Sequence, residues 1–306
     1  MTLPAPNGNW QATTQSVADR IRTRVLDHVL RHNGGYMSQA LSSAEIFAML
    51  YTRILNLGDS TAPLVPRPFS GVPGSDNPDF FNGGEYNGPK APEFDRFIFS
   101  PAHYALVLYT TLIEVGRLAE EGLEQFDADG STVEMIGAEH SPGVETTTGS
   151  LSQALSQAGG IALARKRRGD TGKVWVMMSD GEFQEGQIWE AISEVAKFDL
   201  DNLKVIVDVN GQQCDGCLDA ENYVDPLTGR IQAFGASAIE VDGHDLGALN
   251  AAMSAETGKP HFVMALTNPT RGLPIFEERA PLLHYLRFVS DEEKALYEGA
   301  YEEMVN

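Results

Sequence analysis

Between residues 13 and 32 apolar side chains recur at Val17, Ile21, Val25 and Val29, with Leu26 and Leu30 beside them, the spacing of a helix with one buried face. Gly34 and Gly35 stop it. Ser42, with Glu45 three positions on, reads as the N-cap of a second helix through AEIFAMLYTRIL. The pattern then breaks. Residues 58–93 hold seven of the sixteen prolines and six glycines, which predicts a long irregular loop of the kind that often serves function. Phe97–Ser100 reads as a short buried strand leading into a helix over 102–118, with His103 in its first turn. Residues 120–135 predict a short acidic helix and turn. Gly143–Ser150 opens a helix, LSQALSQAGGIALARKRR, whose Ala and Gly content implies close packing on another element.

The clearest unit follows. Lys173–Ser179 (KVWVMMS) and Leu203–Val209 (LKVIVDV) are near-continuous apolar strands joined by a helix over 184–198, which indicates a parallel βαβ unit. Further strands at 238–241 and 261–266 flank a helix over 246–255. This alternation predicts an α/β fold, a doubly wound parallel sheet with helices on both faces. The expectation is a single domain over residues 1–306, with the 58–93 loop as an irregular insertion.

With 42% hydrophobic residues the chain can bury a sizeable core, and no apolar run approaches the roughly 20 residues that span a bilayer. The N-terminus lacks a basic region followed by an apolar one, so no secretory signal is read and a cytoplasmic location is expected. A net charge of −21 argues against a nucleic-acid partner. An anionic ligand must therefore be held by local devices: a metal, a helix N-terminus or a few histidines. Cys214 and Cys217 lie in a C-x-x-C spacing, but no second cysteine pair or histidine pair nearby completes a zinc set, and they read as ordinary reduced thiols.

Ligands of an open parallel sheet sit beyond the carboxyl ends of its strands. There the chain places Ser179-Asp180-Gly181 after the first strand of the βαβ unit and Asp208-Val209-Asn210-Gly211-Gln212 after the second. If these strands are neighbours, Asp180 and Asn210 converge. A carboxylate, a carboxamide and a backbone carbonyl just beyond form a hard oxygen set suited to Mg²⁺ or Ca²⁺, short of a full shell unless ligand phosphates and water complete it. Gly181 lets phosphates approach the backbone, and the next helix aims its N-terminus at them.

These residues resemble the thiamine diphosphate signature, DG-E-x-x-E-G with an Asn about thirty positions after the Asp, and the wording SDGEFQEGQIWEAISEVAKFDLDNLKVIVDVNGQQCDG is similar to that of transketolases. DRFIFSPAHYALVLY, PGVETTTGSLSQALSQAGGIAL and TRGLPIFEERAPLLHY resemble further transketolase segments in the same order. The resemblance, over about residues 15–290, implies the following roles. Asp180, Asn210 and the Gln212 carbonyl bind the metal. Gly181 and His103 touch the diphosphate, Glu185 supports the loop beneath it, and Gly149 and Leu151 pack on the cofactor rings. His284 faces the reacting carbon of a ketose donor.

The sequence also departs from that family. Ser179 replaces the first Gly of the usual GDG, and Tyr36 stands where the family places a donor-sugar His. His140 is the candidate for another family His that has no direct match, if the loop before Gly143 is shortened. The resemblance further implies a carboxylate from a pyrimidine-binding domain, and only 22 residues follow His284. The expectation is thus a separate partner subunit carrying that domain and its catalytic Glu, assembled as a heterotetramer. The implied reaction moves a two-carbon ketol unit from a ketose, or ketose phosphate, to an aldose through a thiamine diphosphate adduct. Two alternatives stay open: a subunit that decarboxylates 2-oxo acids or condenses them with aldehydes, and a relative that no longer binds cofactor.

Overall fold

The computed structural model describes residues 9–72, 74–78, 80–214, 216–218 and 226–305. Most of the N-terminal stretch read for a secretory signal lies outside the described residues. Helix α1 (Trp10–His32) is capped by Asn9, whose side chain accepts from the Ala12 N–H, and buries Val17, Ile21, Val25, Leu26 and Val29 as their spacing predicts. It stops at Asn33, which takes the left-handed conformation, one residue before the glycines.

Helix α2 (Met37–Met49), prolonged by a single wider turn over Leu50–Ile54, corrects the expected start at Ser42. Gly35 pairs with Leu286 as an isolated bridge, with N–H···O distances of 3.1 and 2.9 Å in the two directions, and the helix begins directly beyond it. Ser42 lies inside the helix and Glu45 a turn later; both are fully buried and bonded to other parts of the molecule. The Ser-x-x-Glu spacing here serves tertiary contacts instead of a cap.

The chain continues through β1 (Arg96–Phe99), a 3₁₀ turn (Ala102–Tyr104), α3 (Ala105–Glu114), α4 (Glu120–Leu123), α5 (Gln153–Arg168), β2 (Val174–Ser179), a 3₁₀ turn (Asp180–Gln184), α6 (Gly186–Lys197) and β3 (Leu203–Val209). A small hairpin, β4 (Gln212–Gln213) and β5 (Gly216–Cys217), then precedes α7 (Leu227–Ala233), β6 (Ser237–Asp242), α8 (Leu246–Met253), β7 (His261–Leu266) and α9 (Asp291–Val305). The hairpin, α7 and α9 are additions to the elements read from the sequence. α9 carries an acidic first turn and buries only Tyr297, so it lacks the apolar stripe that announces a helix.

Five strands form one parallel sheet in the order β1-β2-β3-β7-β6. Side chains alternate across it. Phe97, Phe99, Trp175, Met177, Ile206 and Val263 share a core with α1, α2, α3 and α8. Ile98, Val174, Val176, Met178, Val205 and Val207 share the other with α5, α6 and α7. The chain steps across the sheet from β1 to β6 with α5, α6 and α7 on one face, then steps back to β7 with α8 on the other. Right-handed crossovers require that reversal of face. The predicted doubly wound sheet is the fold observed.

The irregular 58–93 segment is tied down. Arg117 donates to the carbonyls of Tyr86 (2.7 Å) and Gly58 (3.0 Å), Tyr51 donates to Asn87 Oδ1 (3.0 Å), and Asn87 Nδ2 donates to the Gly143 carbonyl (3.0 Å). A Cβ on Gly83 would stand 1.7 Å from the Ser141 carbonyl oxygen, so only glycine lets these two loops touch.

Glu45 joins three elements inside this fold. It pairs with the Arg22 guanidinium of α1 and accepts from His244 Nδ1 at 3.0 Å. The Asn268 N–H donates to His244 Nε2 at 2.8 Å, which fixes the proton on Nδ1. Burial alone would raise the Glu45 carboxyl; the His244 hydrogen bond and Arg22 outweigh it and hold the group down to about 2. A depressed acid contributes stability that is complete above its unfolded value near 4.5 and lost as pH falls toward about 2. Glu45→Gln should therefore cost about 3 kcal/mol at pH 7. In urea denaturation the gap between the two proteins should narrow as pH drops below 4.5; an equal gap at both ends of that range would contradict this account.

Candidate functional site

Strands β2 and β3 are neighbours in register, Ser179 opposite Asp208, so the segments beyond them meet. Asp180 is 1% exposed; its Oδ2 accepts from the Gly211 N–H at 2.7 Å and its Oδ1 from the Gly181 N–H at 2.8 Å. The two strand tips thus touch directly. Burial, with the nearby Asp208 charge adding to it, pushes the Asp180 carboxyl up to about 7 against the pull of these backbone donors.

Asn210 is held from both ends. Its Nδ2 donates to Asp208 Oδ2 (3.0 Å), Tyr104 OH (3.1 Å) and Ser42 Oγ (3.2 Å), while its Oδ1 accepts from the Gln212 N–H (2.9 Å). Asp208, 0% exposed, is the centre of this knot. It accepts from Ser42 Oγ (2.6 Å), Tyr104 OH (2.7 Å), Asn210 Nδ2 and Thr267 Oγ1. Burial raises its carboxyl and the four donors oppose the rise.

Beneath Gly181 lies Glu182, also 0% exposed. Its carboxylate accepts from the Ser179 N–H (2.8 Å), the Ser152 N–H (2.8 Å) and the Ser100 hydroxyl, and Ser179 completes a capping box with it. Three segments are pinned by this one acid: the end of β1, the start of α5 and the turn after β2. Glu185, expected to support the loop, is exposed at the N-cap of α6, and its side chain forms no cap bond. Within this chain Glu182 ties the loop down, the 3₁₀ turn over Asp180–Gln184 placing it inward and leaving Glu185 outward just beyond the turn.

His103 and His284 come together although 181 positions separate them, with ring centroids 5.0 Å apart. The Gly35–Leu286 bridge delivers the C-terminal run to the start of α2. Tyr36 lies 5.7 Å from His103 and 5.3 Å from His284, closing a ring cluster. Burial lowers the His103 imidazole to about 3, and His284 also falls below its ordinary value through burial. Both are neutral at pH 7. Gly149, with φ of +105°, lies beside Ala102 and Ile136, and Leu151 is 37% exposed. His140 is placed apart: its ring contacts Phe69 at 4.7 Å and its Nε2 meets Glu134 at 3.1 Å, and among the described residues no contact joins it to His103 or His284.

Three observations bear on what the site can hold. Among the described residues the buried Asp180 carboxylate has only backbone donors, so a cation would supply the opposite charge it lacks. A Cβ at Gly181 or at Gly211 would meet nothing within 4 Å, which leaves room for a ligand at both strand tips. His103 forms no hydrogen bond among the described residues and can take a ligand oxygen as its partner. No cluster of three His, Cys, Asp or Glu exists among the described residues, so a metal here would need oxygens from amides, carbonyls and its ligand. A diphosphate with a divalent cation fits these residues. Cys214 and Cys217 are exposed in the β4–β5 hairpin.

The sequence pattern alone does not single out Asp208, Glu182, Tyr104, Ser42, Thr267 or Gln39 as site residues. Two carry a signal: Asp208 is an acid inside an apolar strand, and Glu182 stands three positions after Ser179 in the capping-box spacing.

The family model described as transketolase, thiamine diphosphate binding domain, matches residues 80–280. A putative uncharacterized transketolase family protein y4mO of Sinorhizobium fredii is 35% identical over 90% of this chain and 92% of its own. An apulose-4-phosphate transketolase subunit of Actinobacillus succinogenes is 32% identical over 92% of this chain and 94% of its own. The 6-deoxy-6-sulfo-D-fructose transketolase subunit SqwG of a Clostridium species is 28% identical over 93% and 95%. A solved transketolase from Pichia stipitis shares the fold, with a TM-score of 0.67 and 23% identity over 96% of this chain, which spans 44% of that protein. The match of the family model over residues 80–280, which include both strand tips, together with a relative aligned over nine-tenths of each chain, establishes that this chain belongs to the transketolase family and carries its thiamine diphosphate-binding domain.

Proposed function

We propose that this chain is the diphosphate-gripping subunit of a two-chain transketolase-like enzyme that moves a two-carbon ketol unit from a ketose to an aldose. The observation that carries the reading is the contact between Asp180 and the Gly211 N–H, which brings a buried, under-neutralised carboxylate beside Asn210 at the carboxyl edge of the sheet. Two relatives matched almost end to end, at 94% and 95% of their own length, are named transketolase subunits, which supports a separate partner. That partner would carry the pyrimidine-binding domain and its carboxylate, in a heterotetramer. Among the described residues no helix is long and apolar enough to cross a membrane.

In this reading Asp180, Asn210 Oδ1 and the Gln212 carbonyl hold Mg²⁺, or Ca²⁺ in its place, and the backbone at Gly181 and the His103 ring receive the diphosphate. Gly149 and Leu151 lie against the cofactor rings, and His284 and Tyr36 face the ketose donor. Thiamine diphosphate, when bound, supplies the electron sink that a two-carbon carbonyl fragment requires. The chain's own contribution is placement. Asp208 aims Asn210, Glu182 holds the Asp180–Gly181 turn, and the neutral His103–His284 pair offers hydrogen bonds without competing with the metal for charge. Among the ring and hydrogen-bond contacts of His140 none reaches this cluster, so a substrate role for it would need the donor to extend as far as Phe69 and Glu134.

Calorimetric titration of thiamine diphosphate with Mg²⁺ into the assembled pair should show binding, and Asp180→Asn should weaken it at least about 100-fold while circular dichroism stays native. Unchanged affinity in that variant would remove the metal site from Asp180. Ketol transfer should require both chains; turnover by this chain alone would overturn the two-chain assignment, and CO₂ release from pyruvate in preference to ketol transfer would redirect the chemistry. Asp208→Asn should cost about 2 kcal/mol in denaturant unfolding, because an amide N–H would face donors already in place. It should also weaken cofactor binding about 10-fold through the displaced Asn210.

A further inference from the structure

Gln39 is 1% exposed in the first turn of α2, and its side-chain amide reaches His284 Nδ1 at 3.0 Å. Its other amide atom lies 3.2 Å from the Tyr36 carbonyl, 3.2 Å from the His284 carbonyl and 3.0 Å from Ser38 Oγ. Two backbone carbonyls can only accept, so the atom facing them is the NH₂, and the atom facing the imidazole is the carbonyl oxygen. An oxygen that can only accept obliges His284 Nδ1 to donate. The backbone therefore fixes the amide, and the amide fixes the imidazole.

Among the described residues His284 has no charged hydrogen-bond partner and its Nε2 receives no hydrogen bond, and burial keeps the ring neutral. We infer that Gln39 is a positioning residue that locks His284 as the Nδ1–H tautomer, leaving the Nε2 lone pair as a hydrogen-bond acceptor, so that the donor subsite takes a substrate hydroxyl there and disfavours a carboxylate or phosphate oxygen. The inference rests on the reading that His284 faces the donor. It also deepens it. A ketose presents O–H groups to an accepting nitrogen, whereas a 2-oxo acid presents carboxylate lone pairs to another lone pair.

Long-range ¹H–¹⁵N spectra of the full chain at pH 8, with His284 assigned by its disappearance in His284→Asn, should show Nδ1 protonated and Nε2 bare. Gln39→Met, similar in size and without the acceptor, should move the proton to Nε2; Gln39→Glu, which restores an acceptor, should keep it on Nδ1. An Nε2–H form in the unmodified chain, or a tautomer indifferent to Gln39→Met, overturns the inference. In the reconstituted pair Gln39→Met should lower kcat/KM for a ketose donor about 10- to 100-fold with thiamine diphosphate affinity unchanged. If the tautomer follows Gln39 while His284→Asn still turns over ketose at the full rate, the locking stands and the donor-facing role of His284 falls. An inactive His284→Asn with a tautomer that ignores Gln39 decides the reverse.

Discussion

The carboxylate of Asp208, fully buried at the tip of β3, accepts hydrogen bonds from four side chains on four separate stretches of chain: Ser42 in α2, Tyr104 after β1, Asn210 beyond β3 and Thr267 beyond β7. An anion taken out of water is tolerable only when its lone pairs are filled, so each of these donors has a required position. The same four stretches carry the groups at the site. Gln39 stands one turn before Ser42 and Tyr36 at the start of the same helix, His103 immediately precedes Tyr104, Asn210 is itself a donor, and Thr267 begins the run that returns through Leu286 to Gly35. The carboxyl edge of the sheet is organised around this one buried acid.

Two aspartates at adjacent strand tips have opposite fates. Asp208 has four side-chain donors; Asp180 has the N–H groups of Gly181 and Gly211. Desolvation raises both, yet only one has its charge matched by dedicated partners. Relief for Asp180 can come by taking a proton or by taking a cation, and the open space beside Gly181 and Gly211 admits the second together with its anion. Glu182 belongs with Asp208: inward, bonded at both oxygens and structural.

The sheet is legible in the sequence because parallel strands buried on both faces read as apolar runs; β3 and β7 fall at the residues expected, and the meeting of Asp180 with the Asn210 loop follows from their adjacency. Cap chemistry is ambiguous. Ser42-x-x-Glu45 and Ser179-x-x-Glu182 have the same spacing, but the first lies inside a helix whose serines serve tertiary bonds, and the second is a true capping box. What separates them is the context: a strand ends at Ser179, whereas a helix already begun at Met37 runs through Ser42. Glu182 escapes notice for a related reason, since a motif gives the order of residues but not which acid a 3₁₀ turn places inward. The Gln39–His284 contact, 245 positions apart, has no local signal at all.

The electrostatics of the cradle follow from the composition. A chain of net charge −21 must hold a polyanion, and the ring cluster brings no positive charge: His103 and His284 are neutral through burial, and burial raises the Tyr36 hydroxyl further above its ordinary value. In the proposed reading the attraction comes from groups whose charge does not depend on pH, namely backbone N–H groups and a divalent cation at Asp180. Such a site, so read, takes the diphosphate as a metal complex. In that reading His103 adds only an uncharged hydrogen bond to the diphosphate, and His284, its proton fixed by Gln39, is left to a hydroxyl of the sugar.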